Sequence, residues 1–257
     1  MTRVLFRVFH EAWRALRRPG RLARINRPAM RRLFRSPVPP AASEAAWQLQ
    51  RHGGLRARIY ADYGEYIRHQ QSKLDLVDLS EYDARYPRVL RERLASHNLV
   101  APGMTVLCLA ARLGSEVKAF RALGCFAVGI DLNPGAANQY VLFGDFHDLQ
   151  FPSASTDVVF TNSFDHVLDI ERVSREVRRV LKSDGLMIVE AVRGAAEGVS
   201  PGYYESFFWS RIDDLVNLFE RAGFVLVSRS PIEDPWPGEH LCFRKRAKDG
   251  DAATEST

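Results

Sequence analysis

No apolar run in the sequence approaches the roughly 18 residues that a membrane-crossing helix needs, so no span is expected. The N-terminus lacks the apolar core of a signal peptide, because Arg3, Arg7, Arg14, Arg17 and Arg18 interrupt it. Cysteine is scarce: Cys108, Cys125 and Cys242 form an odd, scattered set without a CxxC pair. That excludes a disulfide framework and a zinc ribbon, and points to a reducing, cytoplasmic setting. Cys108 and Cys125 sit in apolar runs, where free cysteine acts as a small buried hydrophobe. The seven histidines and the scattered acids show no metal-ligand spacing, so no metal is expected. There is no internal repeat.

Lysine is missing from residues 1–40, which instead hold 11 Arg and a single acid, Glu11, for a net charge of +10. The whole chain carries +5, so the remaining residues sum to −5. A basic arm is therefore joined to a mildly acidic body, and any polyanion contact belongs to the arm. Within it, Leu5, Phe6, Val8, Phe9, Ala12, Trp13 and Leu16 share one helical face and the arginines the other. Such a segment over residues 1–18 fits a membrane-surface helix, and a peripheral location is the expectation. Docking on the body or a partner, nonspecific nucleic-acid contact and a transit peptide are the alternatives.

The body has the 46% hydrophobic and 26% charged content of a globular protein with a real core. Four segments are read from composition and pattern: a basic arm and linker over 1–40, a helical extension over 41–99, an α/β domain over 100–245, and a polar tail over 246–257. In the α/β domain, strands are expected at Thr105–Leu109, Phe126–Ile130, Tyr140–Phe143, Asp157–Phe160, Leu186–Val192, Phe224–Ser228 and His240–Arg244. Helices separate most of these strands, the pattern of a doubly wound, mostly parallel sheet covered on both faces.

The chemistry-bearing residues gather at expected strand ends. The first strand runs into the small-residue loop Ala110-Ala-Arg-Leu-Gly114, where backbone N–H groups can approach a ligand. The second strand ends in Asp131, placed as the ribose-binding carboxylate of a nucleotide-binding βαβ unit is placed, although Asp-Leu-Asn-Pro-Gly is also turn chemistry. Asp145 and Phe146 follow the third strand and can hold an adenine, the acid on its exocyclic amine and the ring on its face. An ordinary turn acid is the plainer reading of Asp145. The fourth strand ends in the polar cluster Thr161-Asn-Ser-Phe-Asp-His166.

Taken together, these segments resemble the successive motifs of class I, Rossmann-like, S-adenosylmethionine-dependent methyltransferases. Val106-Leu-Cys-Leu-Ala-Ala-Arg-Leu-Gly114 resembles the glycine-rich first motif, Val128-Gly-Ile-Asp-Leu-Asn133 the acid motif, and Gly144-Asp-Phe-His-Asp-Leu-Gln-Phe151 the adenine-side motif. Asp157-Val-Val-Phe-Thr-Asn-Ser163 and Leu181-Lys-Ser-Asp-Gly185 resemble the later motifs. The resemblance covers roughly residues 100–245. It implies a seven-stranded sheet with an antiparallel last strand and S-adenosylmethionine at its carboxyl edge. The implied cofactor contacts are Ala110, Ala111, Arg112, Gly114 and Glu116; Asp131, Leu132 and Asn133; Asp145 and Phe146; and Thr161, Asn162 and Ser163.

The chain departs from the pattern in three places. Cys108 replaces the usual acid of the first strand, and Ala110 and Arg112 replace the first two glycines of the loop. Glu116 is the expected substitute for the missing acid, and Arg112 a bidentate partner for the cofactor's carboxylate. His166 has the chemistry of a general base but is read here as lining the pocket. Tyr63, Tyr66, His69 and Lys73 before the sheet, and Tyr203 and Tyr204 after the fifth strand, are candidates for the acceptor wall; core packing is the competing reading. The Asn/Asp-Pro-Pro-aromatic tetrapeptide of many amino-group and nucleic-acid methylases is absent. The acceptor is therefore expected to be a small molecule, sugar or lipid-linked group methylated at oxygen or nitrogen by in-line displacement. A catalytically inactive binding protein and an RNA methyltransferase with the arm as handle are the rivals.

Overall fold

The computed structural model describes residues 46–50, 53–73 and 79–246. All of them fall within the second of two units into which the chain divides, Pro40–Thr257. The arm of residues 1–40 and the tail beyond Arg246 lie outside the described residues, and with them the amphipathic segment 1–18.

The centre is a seven-stranded sheet. Its strands are β3 (Thr105–Leu109), β4 (Phe126–Asp131), β5 (Val141–Phe143), β6 (Thr156–Thr161), β7 (Leu181–Val192), β9 (Phe224–Ile232) and β10 (Gly238–Lys245). Their spatial order is β5-β4-β3-β6-β7-β10-β9. β10 runs antiparallel between β7 and β9, while β3 to β7 pair in parallel. This is the doubly wound sheet expected from the apolar runs, with the last strand reversed. β7 starts at Leu181, directly after a helix, rather than at Leu186, because Leu181 pairs with Thr156 across an irregularity in the register.

Alternation along β3 divides the interior in two. Leu107 and Leu109 face a core packed by α4 (Ile170–Val180) and α5 (Ile212–Arg221). Val106 and Cys108 face a second core packed by α2 (Ser80–His97) and α3 (Ser115–Ala122). α4 buries Ile170, Val173, Val177 and Val180 at helical spacing, and the Asp169 side chain caps it by accepting from Arg172 N–H. Gly129 of β4 has no room for a side chain: an added Cβ would lie 2.7 Å from Ala111 Cβ and 3.0 Å from Val141 Cγ2. That absence lets the first loop settle on the sheet.

The extension before the sheet differs from the expected all-helical segment. It holds α1 (Tyr63–Ser72) and α2, but also two short strands, β1 (Trp47–Leu49) and β2 (Leu55–Arg58). β2 pairs with β8 (Phe207–Trp209) through Leu55–Trp209 and Arg56–Phe208, completing a three-stranded sheet. The partner strand lies some 150 residues away, so no local pattern announces the pairing. Among the described residues, no helix is long and apolar enough to cross a membrane.

Candidate functional site

The carboxyl edge of β3, β4, β6 and β7 opens into a cavity of ≈ 380 Å³, covered by residues of α1 and α2. Its floor is the loop after β3. Ala110 and Arg112 adopt left-handed backbone angles, φ +52° and +37°. Glycine takes such angles freely, and a side chain there is strained by about 1–2 kcal/mol per residue. The loop thus keeps a glycine-type backbone where the sequence has lost its glycines. Gly114, at φ +77°, keeps its glycine: a Cβ would lie 2.5 Å from Tyr140 Cβ.

Asp131 closes the loop against β4. Its Oδ2 accepts from Arg112 N–H at 3.1 Å, and its Oδ1 accepts from Asn133 N–H at 2.7 Å. Burial raises its pKa against the pull of these amides and of the Arg112 charge. The Arg112 guanidinium lines the cavity, and no hydrogen bond or ion pair among the described residues holds it. Burial lowers its pKa.

Glu116 stands at the start of α3, with 5% of its surface exposed. Its Oε1 accepts from Tyr82 O–H at 2.9 Å and from Asn162 Nδ2–H at 3.1 Å. Its Oε2 is buried without a hydrogen-bond partner, and the residue lines the cavity. Burial pushes its carboxyl up to about 7. Cys108 is fully buried, and its thiol pKa is raised by burial and then by the Glu116 charge. Glu116 thus brings a carboxylate close enough to Cys108 for its charge to act on the thiol.

The far wall carries a second polar group. His166 Nδ1 bonds the Tyr204 carbonyl at 3.0 Å, which makes Nδ1 the protonated nitrogen. Its Nε2 then accepts from Lys73 Nζ at 2.7 Å. Burial, with the Lys73 charge, pushes its pKa down to about 3. Both ring nitrogens are committed, so His166 has no free lone pair for a substrate proton. Burial also lowers the Lys73 pKa, against the opposing charges of Asp165 and Glu205.

Of the residues singled out from sequence, Ala110, Ala111, Arg112, Glu116, Asp131, Leu132, Asn133, Phe146, Asn162, Ser163, Tyr66, Lys73 and His166 line the cavity. Gly114, Asp145, Thr161, Tyr63, His69, Tyr203 and Tyr204 do not. Asp145 accepts from the Tyr63 hydroxyl and bonds His147 Nδ1 at 2.8 Å; burial raises its pKa, and the hydrogen bonds from His147 outweigh that and hold it below its usual value. His147 Nε2 accepts from the N–H groups of Leu168 and Asp169, tying the turn after β5 to the start of α4. Thr161 donates to the Leu109 carbonyl between strands. His69 packs between Tyr203 and Tyr204 and bonds the Tyr60 hydroxyl.

Sequence reasoning passed over Tyr82, Asp165, Glu190, Glu205 and Trp236, which also line the cavity. Glu190 had a visible signal, a lone charge inside the apolar run of β7. It is fully buried and takes the Tyr86 hydroxyl at 2.6 Å, the Arg93 guanidinium and His240 Nδ1 at 3.1 Å. The sequence showed no metal-ligand spacing, yet folding does bring Asp165, His166 and Glu205 together.

Residues 107–189 match the model of a family described as a methyltransferase domain. No curated protein matches the sequence. Among solved structures, the 1,6-didemethyltoxoflavin-N1-methyltransferase of Burkholderia thailandensis aligns with a TM-score of 0.59 at 15% identity, over 77% of this chain and 98% of that one. A SAM-dependent methyltransferase from Aquifex aeolicus aligns at 0.52 and 16%, over 68% and 97%. The [4+2]-cyclase SpnF aligns at 0.52 and 16%, over 63% and 81%. The fold is that of the class I, Rossmann-like, S-adenosylmethionine-dependent methyltransferases. The domain match spans residues 107–189, the structural likenesses show the fold, and no comparison identifies an acceptor.

Two expectations are corrected. The acceptor type named as partner rests on no comparison. The membrane-surface partner and peripheral location are withdrawn as unsupported: no helix among the described residues is long and apolar enough to cross a membrane. The arm on which they rested, residues 1–18, lies outside the described residues.

Proposed function

We propose that the chain binds S-adenosylmethionine in this cavity and directs its methyl group to an oxygen or nitrogen of a small-molecule acceptor. One observation carries the reading: Arg112, half-buried with an unpartnered guanidinium, and Glu116, with a buried and unpartnered Oε2, line the same cavity. An unmatched cation and an unmatched carboxylate suit the two ends of an amino-acid moiety, carboxylate on Arg112 and ammonium on Glu116. The strained backbone at Arg112 supports this, because glycine would relieve the strain and forfeit the guanidinium.

When bound, S-adenosylmethionine supplies a sulfonium-activated methyl group that a nucleophile displaces in line. The remaining work belongs to the chain. Asp131, held by two backbone amides, retains oxygen lone pairs for ribose hydroxyls. Phe146, at 6% exposure, offers a ring to the adenine. Asn162, fixed by the Tyr82 hydroxyl, lies at the end of β6 beside Glu116. Tyr66 and Tyr82 cover the edge from α1 and α2 and restrict water, leaving alignment as the main source of rate. This covered cavity favours a small acceptor over a base within a polymer.

Calorimetry of Asp131→Ala with S-adenosylhomocysteine tests the reading. Loss of at least tenfold in affinity is expected. Unchanged affinity contradicts the assignment of this edge as the cofactor site.

A further inference from the structure

Asp165 Oδ1 and Glu205 Oε2 are buried and have no hydrogen-bond partner, and both residues line the cavity. Folding brings them together deliberately. Asp165 lies on the single turn Phe164–His166 after β6, and Glu205 on the loop before β8. The two loops are joined by Ser206 N–H to the Asp165 carbonyl at 2.7 Å. Gln70 of α1 clamps the second loop by donating to the Tyr204 carbonyl and bonding Ser206 Oγ. Lys73, the nearest cation, is committed to His166 Nε2, and no ion pair among the described residues joins it to either carboxylate. Each residue lines the cavity and keeps one buried carboxylate oxygen without a donor, a costly arrangement unless a ligand supplies one.

From these orphaned acceptors we infer that the acceptor molecule presents an amine here, held as an ammonium by Asp165 and Glu205. The inference deepens the methyltransferase reading and rests on it. One ligand atom from each of Asp165, His166 and Glu205 lies within 4.8 Å of the others. A centre shared by three atoms at that spacing sits up to about 2.8 Å from each, a hydrogen-bond length. Asp165 Oδ1 and His166 Nε2 are 3.8 Å apart. An ion about 2.1 Å from both would see them at roughly 130°, wider than the tetrahedral angle. The His166 lone pair is also already taken by Lys73.

The pair has a chemical use. An ammonium must lose a proton before its nitrogen can attack. Asp165 takes that proton, freeing the nitrogen lone pair. The N–C bond forms as the methyl–sulfur bond breaks, giving the methylated amine and S-adenosylhomocysteine. Burial pushes the Asp165 carboxyl up to about 6, against the opposing Lys73 charge, which suits a proton-accepting role.

The test uses the full chain with three matched probes, n-butylamine, 1-butanol and butyrate, by ligand-observed NMR. Each is measured with and without saturating S-adenosylhomocysteine. Butylamine is expected to bind, with affinity at least tenfold weaker in Asp165→Asn and in Glu205→Gln, while butanol and butyrate give no comparable signal. Circular dichroism and unfolding midpoints confirm that each variant is folded. Preference for butyrate, lost in Lys73→Met, overturns the inference, as does butylamine binding that ignores both substitutions. Binding of Mn²⁺ that both substitutions abolish also overturns it. Loss of S-adenosylhomocysteine binding with amine binding intact refutes the cofactor reading alone.

Discussion

Glu116→Gln separates function from stability at one atom. In the folded protein burial pushes this carboxyl up to about 7 from a reference of 4.5. That difference corresponds to roughly 3 kcal/mol. Because the folded value lies above the unfolded one, the folded state holds the proton more tightly. Stability from this group is therefore full below about pH 4.5, falls as pH rises to about 7, and stays low above it. Glutamine keeps an oxygen to accept from Tyr82 and Asn162 and places an amide where Oε2 has no partner. The variant should be more stable than the parent at pH 8 by up to about 3 kcal/mol, or roughly 5–10 °C in Tm. The difference should vanish near pH 4.5. At pH 8 the same variant should bind S-adenosylhomocysteine about 10- to 100-fold more weakly, having lost a charge-assisted hydrogen bond. Thermal unfolding at the two pH values and calorimetry at pH 8 measure both effects. A variant less stable than the parent at pH 8, or one with unchanged affinity, refutes the reasoning.

Two other substitutions probe the frame of the site. Gly129→Ala forces a Cβ to 2.7 Å from Ala111 Cβ, so denaturant unfolding should show a loss of about 1–3 kcal/mol, with weakened cofactor binding as the loop shifts. Glu190→Ala strands Arg93, Tyr86 and His240 around a buried gap and should cost about 3–5 kcal/mol at pH 7. Burial raises the Glu190 carboxyl, but His240 and Arg93 outweigh it and hold the pKa below its usual value. Its stabilising contribution is therefore present above about pH 4.5, so the gap between parent and variant should narrow as pH falls through the depressed value.

Sequence and structure agree where local pattern governs. The apolar runs of β3, β4, β6 and β7 are buried on both faces, so each reads as a strand without knowledge of its partner. Asp131 was legible because it ends such a strand at the right distance from a small-residue loop. β1 and β2 were not: Leu-Arg-Ala-Arg alternates apolar and polar over only four residues, and β2 is held between β1 and the distant Phe207–Trp209. Asp145 shows what local pattern leaves out. Its position suggested an adenine contact, but its oxygens bond Tyr63 and His147, a partnership across 82 residues in the first case. The orphaned atoms of Glu116, Asp165 and Glu205 are visible only in three dimensions, because what marks them is the absence of a neighbour. Their residue types were in plain sight: Asp165 adjoins the His166 singled out from sequence.

The central claim, that this cavity holds S-adenosylmethionine, is tested most directly by calorimetry of the full chain with S-adenosylmethionine, S-adenosylhomocysteine and NADH. Micromolar binding of the two sulfur ligands, with none for NADH, is the predicted result. No binding of either sulfur ligand, with the protein folded, contradicts the claim and means that Arg112 and the altered first loop close the site instead of completing it.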